Sequence, residues 1–238
     1  MPASLSLVMA GYNEEKNVKK AVEASVAALD ETFAEYEIIL IDDGSRDGTA
    51  RIMDEMAALH PRVRAERNYA NLNFGASVLR GLLMARCDYA IYNAMDLPLD
   101  PRLIKDIVRE AEDGRCDVLV LERESYAATG WRKLTSSANL LLLRLLFPRA
   151  MRGTPVVNYI QLFRREIIRG VLPLARSPIF VWPEMIFRAK YAGLRVGNRK
   201  APVQVGELRK GAFGKPHDIM WGLYDMARFR VRKWTGSC

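Results

Sequence analysis

The sequence is poor in cysteine and poorer in histidine: three cysteines (Cys87, Cys116, Cys238) and two histidines (His60, His217) in 238 residues. No two cysteines form a C-x-x-C pair, so neither a disulfide framework nor a zinc site of the usual composition is expected. Such sparing use of cysteine suits a reducing, cytosol-facing compartment. Long apolar runs are also missing. The longest, Leu140–Phe147, is broken by Arg144 and falls far short of the ~20 residues that a spanning helix needs. Leu5–Ala10 follows no basic segment and is too short for a secretory signal. Repeats, low-complexity tracts and linker-like stretches are absent too, which leaves one large domain as the expectation.

Half of the residues are hydrophobic and 27% are charged, the balance of a folded globular chain and not of a disordered one. Lysine and arginine number 36 against 28 acidic residues, a formal net charge of +8. That surplus favours anionic partners: nucleotides, phosphates, nucleic acid or an acidic membrane surface.

The first half alternates between two periodicities. Ser4–Ala10, Tyr36–Ile41, Arg62–Arg67, Tyr89–Tyr92 and Asp117–Leu121 read as short buried strands. Between them, Val18, Val22, Val26 and Leu29 recur at helical spacing, as do Ile52, Met56 and Leu59. Asn13 is expected to cap the first helix, with Glu14 and Glu15 in its first turn. Further helices are expected from Asn73 to about Arg86 and over Pro101–Glu112. Repeated β-α units of this length imply an α/β fold with a mostly parallel sheet, whose ligands bind beyond the carboxyl ends of the strands. Three polar clusters fall at such ends: Gly11-Tyr12-Asn13-Glu14, Asp42-Asp43-Gly44-Ser45 and Asn93-Ala94-Met95-Asp96. One site built from three strand ends is the economical reading, although a turn followed by a helix cap would use the same residue types. The second half is less regular: helices over Trp131–Phe147, Trp182–Tyr191 and His217–Trp234, a strand over Val156–Phe163 and an extended return over Arg195–Val205.

The order and spacing of the clusters carry a specific resemblance. Leu5–Glu15, with its Tyr-Asn-Glu-Glu turn, the segment Ile38–Thr49 reading IILIDDGSRDGT, and Asn73-Phe74-Gly75 followed by Gly81, Ala85 and Asp88 are similar to the motifs of family 2 glycosyltransferases. The branch resembled is that of the dolichyl- or polyprenyl-phosphate sugar synthases. The resemblance implies a GT-A, Rossmann-like domain over residues 1–215 and a basic, aromatic C-terminal helix over 216–238. It implies that Tyr12, Glu14, Asp42 and Asp43 hold the base and ribose of a nucleotide-sugar donor, as carboxylates accepting from N–H and hydroxyl groups can. It also implies a magnesium or manganese ion on the donor diphosphate, held in the family by a D-x-D motif. Here that motif reads Ala94-Met95-Asp96, so only Asp96 remains as a catalytic, metal-holding carboxylate, with Asn93 and Asp100 as neighbours at other spacings. Ala10-Gly11 stands where the family carries a proline before the tyrosine.

On the acceptor side, a hydroxyl needs a general base, whereas a phosphate is already ionised and needs cations to position it. Arg123 follows a strand as in the branch's G-S-R. Trp131-Arg132, with Ser136 and Asn139, resembles its W-R-x-x-S-x-x-x-N stretch, and Arg209 and Lys215 lie in a loop similar to R-x-x-G-x-S-K. These four basic residues are the expected grip on the phosphate of a lipid acceptor, Arg123 and Arg132 acting at the reacting centre, with inversion at the sugar. Leu140–Leu146 with Arg132, Lys133, Arg144 and Arg149, and Ile219–Trp234 with aromatic and basic residues mixed, suit a peripheral position at the cytosolic face of an anionic membrane; packing on the catalytic core would explain them equally. Other readings stay open. A transferase to a glycan hydroxyl would need Glu184 or Glu207 as base. The incomplete D-x-D fits a non-catalytic nucleotide-sugar binder, and the basic C-terminal segment fits a nucleic-acid binder.

Overall fold

The computed structural model describes residues 3–123, 130–154, 160–175, 177, 180–202 and 216–234. Its centre is a seven-stranded sheet of β1 (Leu5–Gly11), β2 (Tyr36–Asp42), β3 (Val63–Arg67), β4 (Tyr89–Ala94), β5 (Val118–Arg123), β6 (Gln161–Arg164) and β7 (Val196–Ala201), in the order β3-β2-β1-β4-β6-β5-β7. All neighbours run parallel except β6, which is antiparallel to both β4 and β5. The sheet is therefore mixed but mostly parallel, as the alternating signals imply. Two antiparallel pairings leave β5 running parallel to β4. That orientation returns the end of β5 to the edge where β1, β2 and β4 also end.

The central strands are apolar almost throughout because helices cover both faces. Every residue of β1 is buried, and Ile38–Ile41 of β2 are inaccessible to solvent. The flanking helices are α1 (Val18–Asp30), α2 (Thr49–Leu59), α3 (Phe74–Met84), α4 (Ile104–Asp113), α5 (Gly130–Leu146), the short α6 (Pro148–Met151), α7 (Val181–Tyr191) and α8 (Pro216–Trp234). A 3-10 turn, Pro101–Leu103, runs into α4, and another spans Arg165–Val171. Helix α3 lies so close on β1 that a Cβ on Gly81 would meet Val8 Cγ1 at 2.3 Å. Phe147, Phe180, Phe187 and Phe229 bring α5, α7 and α8 together in a second aromatic core, with ring centroids 4.9–6.4 Å apart.

One local expectation is corrected. Asn13 does not cap α1, which starts at Val18 with Asn17 at its N-cap position. Asn13 instead has φ 54°, left-handed backbone that asparagine tolerates better than most residues, and its side chain is engaged elsewhere. Of the strand expected over Val156–Phe163, the described part is β6, shifted to Gln161–Arg164; residues 155–159 lie outside the described residues.

Candidate active site

Strand register places the three polar clusters side by side. Gly11 pairs with Asp42 and Ala10 with Ala94, so Tyr12, Asp43 and Asp96 follow from adjacent strands at one edge of the sheet. The first two clusters are stitched into a single ledge. The Asn13 N–H donates to Ser45 Oγ at 2.9 Å, and the Arg46 N–H donates back to Asn13 Oδ1 at 2.9 Å. The Glu14 N–H donates to Thr49 Oγ1 at 2.7 Å, and the Gly48 N–H to Glu15 Oε2 at 2.9 Å. Asp47 accepts from Thr49 through both its N–H and its hydroxyl. Although burial opposes its ionisation, hydrogen bonds from Thr49 and from the Glu15 N–H hold the Asp47 carboxyl below the usual range. Most letters of the two motifs are thus spent on fixing two loops against each other. Tyr12 and Glu14 remain half-buried on that ledge, Glu14 Oε2 accepting from Asn17 Nδ2 at 2.7 Å.

Asp42 and Asp43 are both buried but do different things. Asp42 Oδ1 accepts from the Ser45 N–H at 3.1 Å and holds the turn after β2. Asp43 Oδ1 accepts from Asn68 Nδ2 at 3.0 Å, the Leu72 N–H at 2.8 Å and Ser77 Oγ at 2.8 Å. It anchors the loop between β3 and α3, so its effect on a ligand passes largely through that loop. Gly44 then turns with φ +74°, and a Cβ there would lie 2.7 Å from the Ala70 backbone carbon. Only glycine satisfies both constraints.

At the end of β4, Asn93 is fully buried and clamps the following loop. Its Nδ2 donates to Leu99 O at 2.8 Å, while its Oδ1 accepts from the Ala94 and Leu99 N–H groups. Leu97 takes φ 50°, a conformation that costs a leucine roughly 1–2 kcal/mol. Asp100 is bound through both oxygens by Arg102, whose hydrogen bond and charge hold it below the ordinary carboxylate range. Asn93 is thus committed to the loop, and Asp100 is paired with Arg102. Asp96 is exposed, and among the described residues no group of three Asp, Glu, His or Cys side chains could hold a metal. A cation held by protein alone does not fit this edge. One shared between Asp96 and a donor diphosphate does, since magnesium commonly binds through one or two carboxylates, phosphates and water. Met95 is buried and leans towards Gly11, where a Cβ would meet Met95 Cγ at 3.0 Å and Glu14 Cγ at 3.1 Å. The two departures from the family pattern, at Ala10-Gly11 and at Ala94, are strand neighbours, Ala10 pairing with Ala94.

The acceptor candidates are placed by backbone. Arg123 ends β5 at the same edge, two strand spacings or roughly 10 Å from β4, and pairs with Ala201 of β7. Arg132 lies in the first turn of α5, beside Trp131. Arg209 and Lys215 lie outside the described residues, as does Glu207; the chain leaves β7 towards them from the end that pairs with Arg123. Glu184, the other carboxylate open to a base role, is 2% exposed and fully committed. Its Oε1 accepts from the Leu174 N–H at 3.1 Å and from Arg188 Nε at 2.8 Å, and its Oε2 from the Ala175 N–H at 2.8 Å. The Arg188 guanidinium also pairs with it at 2.7 Å. Next to it, Trp182 stacks on Tyr92 of β4 with centroids 4.5 Å apart.

Sequence reasoning missed Asn68 and Ser77, the partners of Asp43, and the strained Leu97. A serine among apolar residues on the buried face of α3 was the available signal. A cavity of about 360 Å³ lies elsewhere. It is lined by Asp88, Tyr89, Glu112 and Arg164 at the opposite edge of the sheet, far from the strand ends described above.

Comparison with known proteins agrees with this geometry. Residues 6–172 match the family described as Glycosyl transferase family 2. The chain is 29% identical over 182 residues to an undecaprenyl-phosphate 4-deoxy-4-formamido-L-arabinose transferase of Shewanella sediminis, covering 74% of this chain and 53% of that protein. A Pseudomonas fluorescens protein of the same description is 30% identical over 184 residues, covering 74% and 52%. The chain thus spans about half the length of these curated relatives. Among solved structures, glucosyl-3-phosphoglycerate synthase from Mycobacterium tuberculosis in complex with uridine-diphosphate superposes with TM-score 0.67 at 17% identity, covering 96% of this chain and 80% of that one. Mannosyl-3-phosphoglycerate synthase from Rubrobacter xylanophilus gives 0.65 at 17% identity, covering 99% and 76%. These likenesses establish the GT-A fold. A motif ledge at the strand ends, that fold and a family match over most of the chain lead to one conclusion: this protein belongs to glycosyl transferase family 2.

Proposed function

We propose that the protein transfers a sugar, a hexose or close relative, from a nucleotide-sugar donor to the phosphate of a polyprenyl-type lipid, with inversion at the sugar carbon. The donor lies on the ledge of Tyr12, Glu14, Asp42 and Asp43. Tyr12 and Glu14 supply direct contacts to base and ribose, and the two aspartates hold the loops that shape the cradle. Asp96 faces the diphosphate, where a magnesium or manganese ion brought in with the donor would neutralise charge on the leaving group. Arg123, Arg132, Arg209 and Lys215 position the acceptor phosphate. An acceptor oxygen that is already anionic attacks the anomeric carbon, the bond to the diphosphate breaks, and the nucleoside diphosphate departs. No proton has to be removed.

The observation that carries the acceptor half is the state of Glu184. With its described hydrogen bonds accepted from Leu174, Ala175 and Arg188, it has no role left as a base, which leaves Glu207 of the two carboxylates considered for a hydroxyl acceptor. The names of the undecaprenyl-phosphate relatives point the same way. Incubation with labelled nucleotide sugars and a polyprenyl phosphate in detergent tests the reading. Labelled lipid is expected, and Arg123→Ala or Arg132→Ala should abolish it while leaving nucleoside diphosphate affinity unchanged. Full activity in both variants, or transfer to free hydroxyls only, overturns it.

A further inference from the structure

We propose that the outward face of α8, with Leu141 and Leu145 of α5, is a docking surface for an anionic phospholipid layer. Helix α8 has two apolar stripes, not one. The first, formed by Gly222, Asp225, Met226 and Phe229, is buried. Phe229 joins the aromatic core, Lys233 lies over the Tyr191 ring, and Asp225 Oδ2 accepts from the Ser177 N–H at 2.9 Å. These contacts account for how the helix is attached. The second stripe, Met220, Leu223, Tyr224, Ala227 and Val231, follows the spacing i, i+3, i+4, i+7, i+11. At 100° per residue it lies on the opposite side of the helix. Every one of its residues is exposed, Met220 at 66% and Val231 at 58%. Helix packing explains the first stripe and leaves the second without a partner among the described residues.

The charge pattern selects the partner. From Ala227 onward α8 holds Arg228, Arg230, Arg232 and Lys233 and no acidic residue. Arg228 and Arg230 flank the exposed stripe on its two sides. Leu141 and Leu145, one turn apart on α5 and exposed, the latter at 70%, bracket Arg144 in sequence, and Arg149 follows four residues on. Between Glu124 and β6 the chain has no acidic residue and five basic ones, Arg132, Lys133, Arg144, Arg149 and Arg152. Aliphatic side chains bordered by cations, with Trp221 and Tyr224 packed edge to face at 5.6 Å, match a headgroup layer over an acyl boundary. A second copy of the chain would bring the same flanking arginines towards each other. Nucleic acid would leave Met220, Leu223 and Val231 without complementary groups. No described helix is long and apolar enough to cross a membrane, so the contact is one of lying on the surface.

The purpose of this surface rests on the lipid-phosphate reading, but its evidence does not. The test is co-sedimentation of the 238-residue chain with phosphatidylcholine vesicles, with and without phosphatidylglycerol. Wild type should bind the anionic vesicles, less so in high salt. Leu223→Glu/Val231→Glu should lose at least ~tenfold in binding, with thermal stability and transfer to detergent-dispersed acceptor unchanged. Equal binding by the variant, or no binding by wild type, overturns the proposal. So does a wild-type dimer that the double change splits without any effect on vesicles. If vesicles bind through α8 but no lipid phosphate is glycosylated, the acceptor assignment fails and the docking surface stands.

Discussion

Replacing Glu184 by glutamine keeps the shape of the side chain and removes its charge, which separates a structural role from a base role. The carboxylate accepts from two backbone N–H groups and from Arg188, whose side chain is itself only 16% exposed. Glutamine retains one acceptor oxygen and turns an amide donor towards groups that are donors themselves. Breaking a buried pair outright costs about 3–5 kcal/mol, and retention of one acceptor reduces that to roughly 2–4 kcal/mol. For a chain of this size each kcal/mol lowers Tm by about 2–4 °C, giving a fall of roughly 4–16 °C. At a temperature where the variant remains folded, kcat for transfer to lipid phosphate should stay within about twofold of wild type. Removing a general base would instead lower kcat by roughly 10²–10⁴-fold. Calorimetry and initial rates on the same preparations read both quantities. An unchanged Tm with kcat down a hundredfold or more would falsify the assignment of Glu184 to structure and restore the hydroxyl acceptor.

Asp43→Ala removes an acceptor from three donors, although Asn68 Nδ2 and Ser77 Oγ, 2.7 Å apart, retain each other. Stability in urea should fall by about 2–3 kcal/mol, and nucleoside diphosphate affinity by about tenfold or more; a change under half a kcal/mol would mean that the loop is held by other contacts. Manganese should tighten nucleoside diphosphate binding to wild type but not to Asp96→Asn; calorimetry showing equal affinity with manganese and with chelator removes the cation from the site. Gly44→Ala combines left-handed φ with a clash against the Ala70 and Asn71 backbone and should destabilise by at least about 2 kcal/mol, whereas Gly170→Ala, with open space around it, should cost under about 1 kcal/mol. Because Asp47 is held below its ordinary pKa of 3.8, its stabilising contribution is present above that value and is lost as pH falls through its lower folded value. Acid unfolding of Asp47→Asn should therefore be less steep than that of wild type, and identical profiles would show that Asp47 does not couple to folding.

The architecture of the first hundred residues, and the places of their polar clusters, are written in local pattern. Strand and helix periods are local properties, and Asp42, Asp43 and Asp96 stand where apolar runs stop, so β1, β2, β4 and the site edge were legible without coordinates. What those residues do depends on the folded contacts around them. Asn13 looks like a helix cap in isolation but is held in left-handed backbone by Ser45 and Arg46, thirty residues away. Asn93 and Asp100 look available to a cation until Leu99 and Arg102 are seen to occupy them. Glu184 is open to a structural role or a base role until its oxygens are found filled by Leu174, Ala175 and Arg188. The second apolar stripe of α8 is recognised as surplus only once Phe229 and Met226 are seen to fill the first. In each case the physical reason is the same. Lone pairs and apolar faces are satisfied by partners, near or distant in sequence, that folding brings to them, and periodicity along the chain carries no information about which of them have already been used.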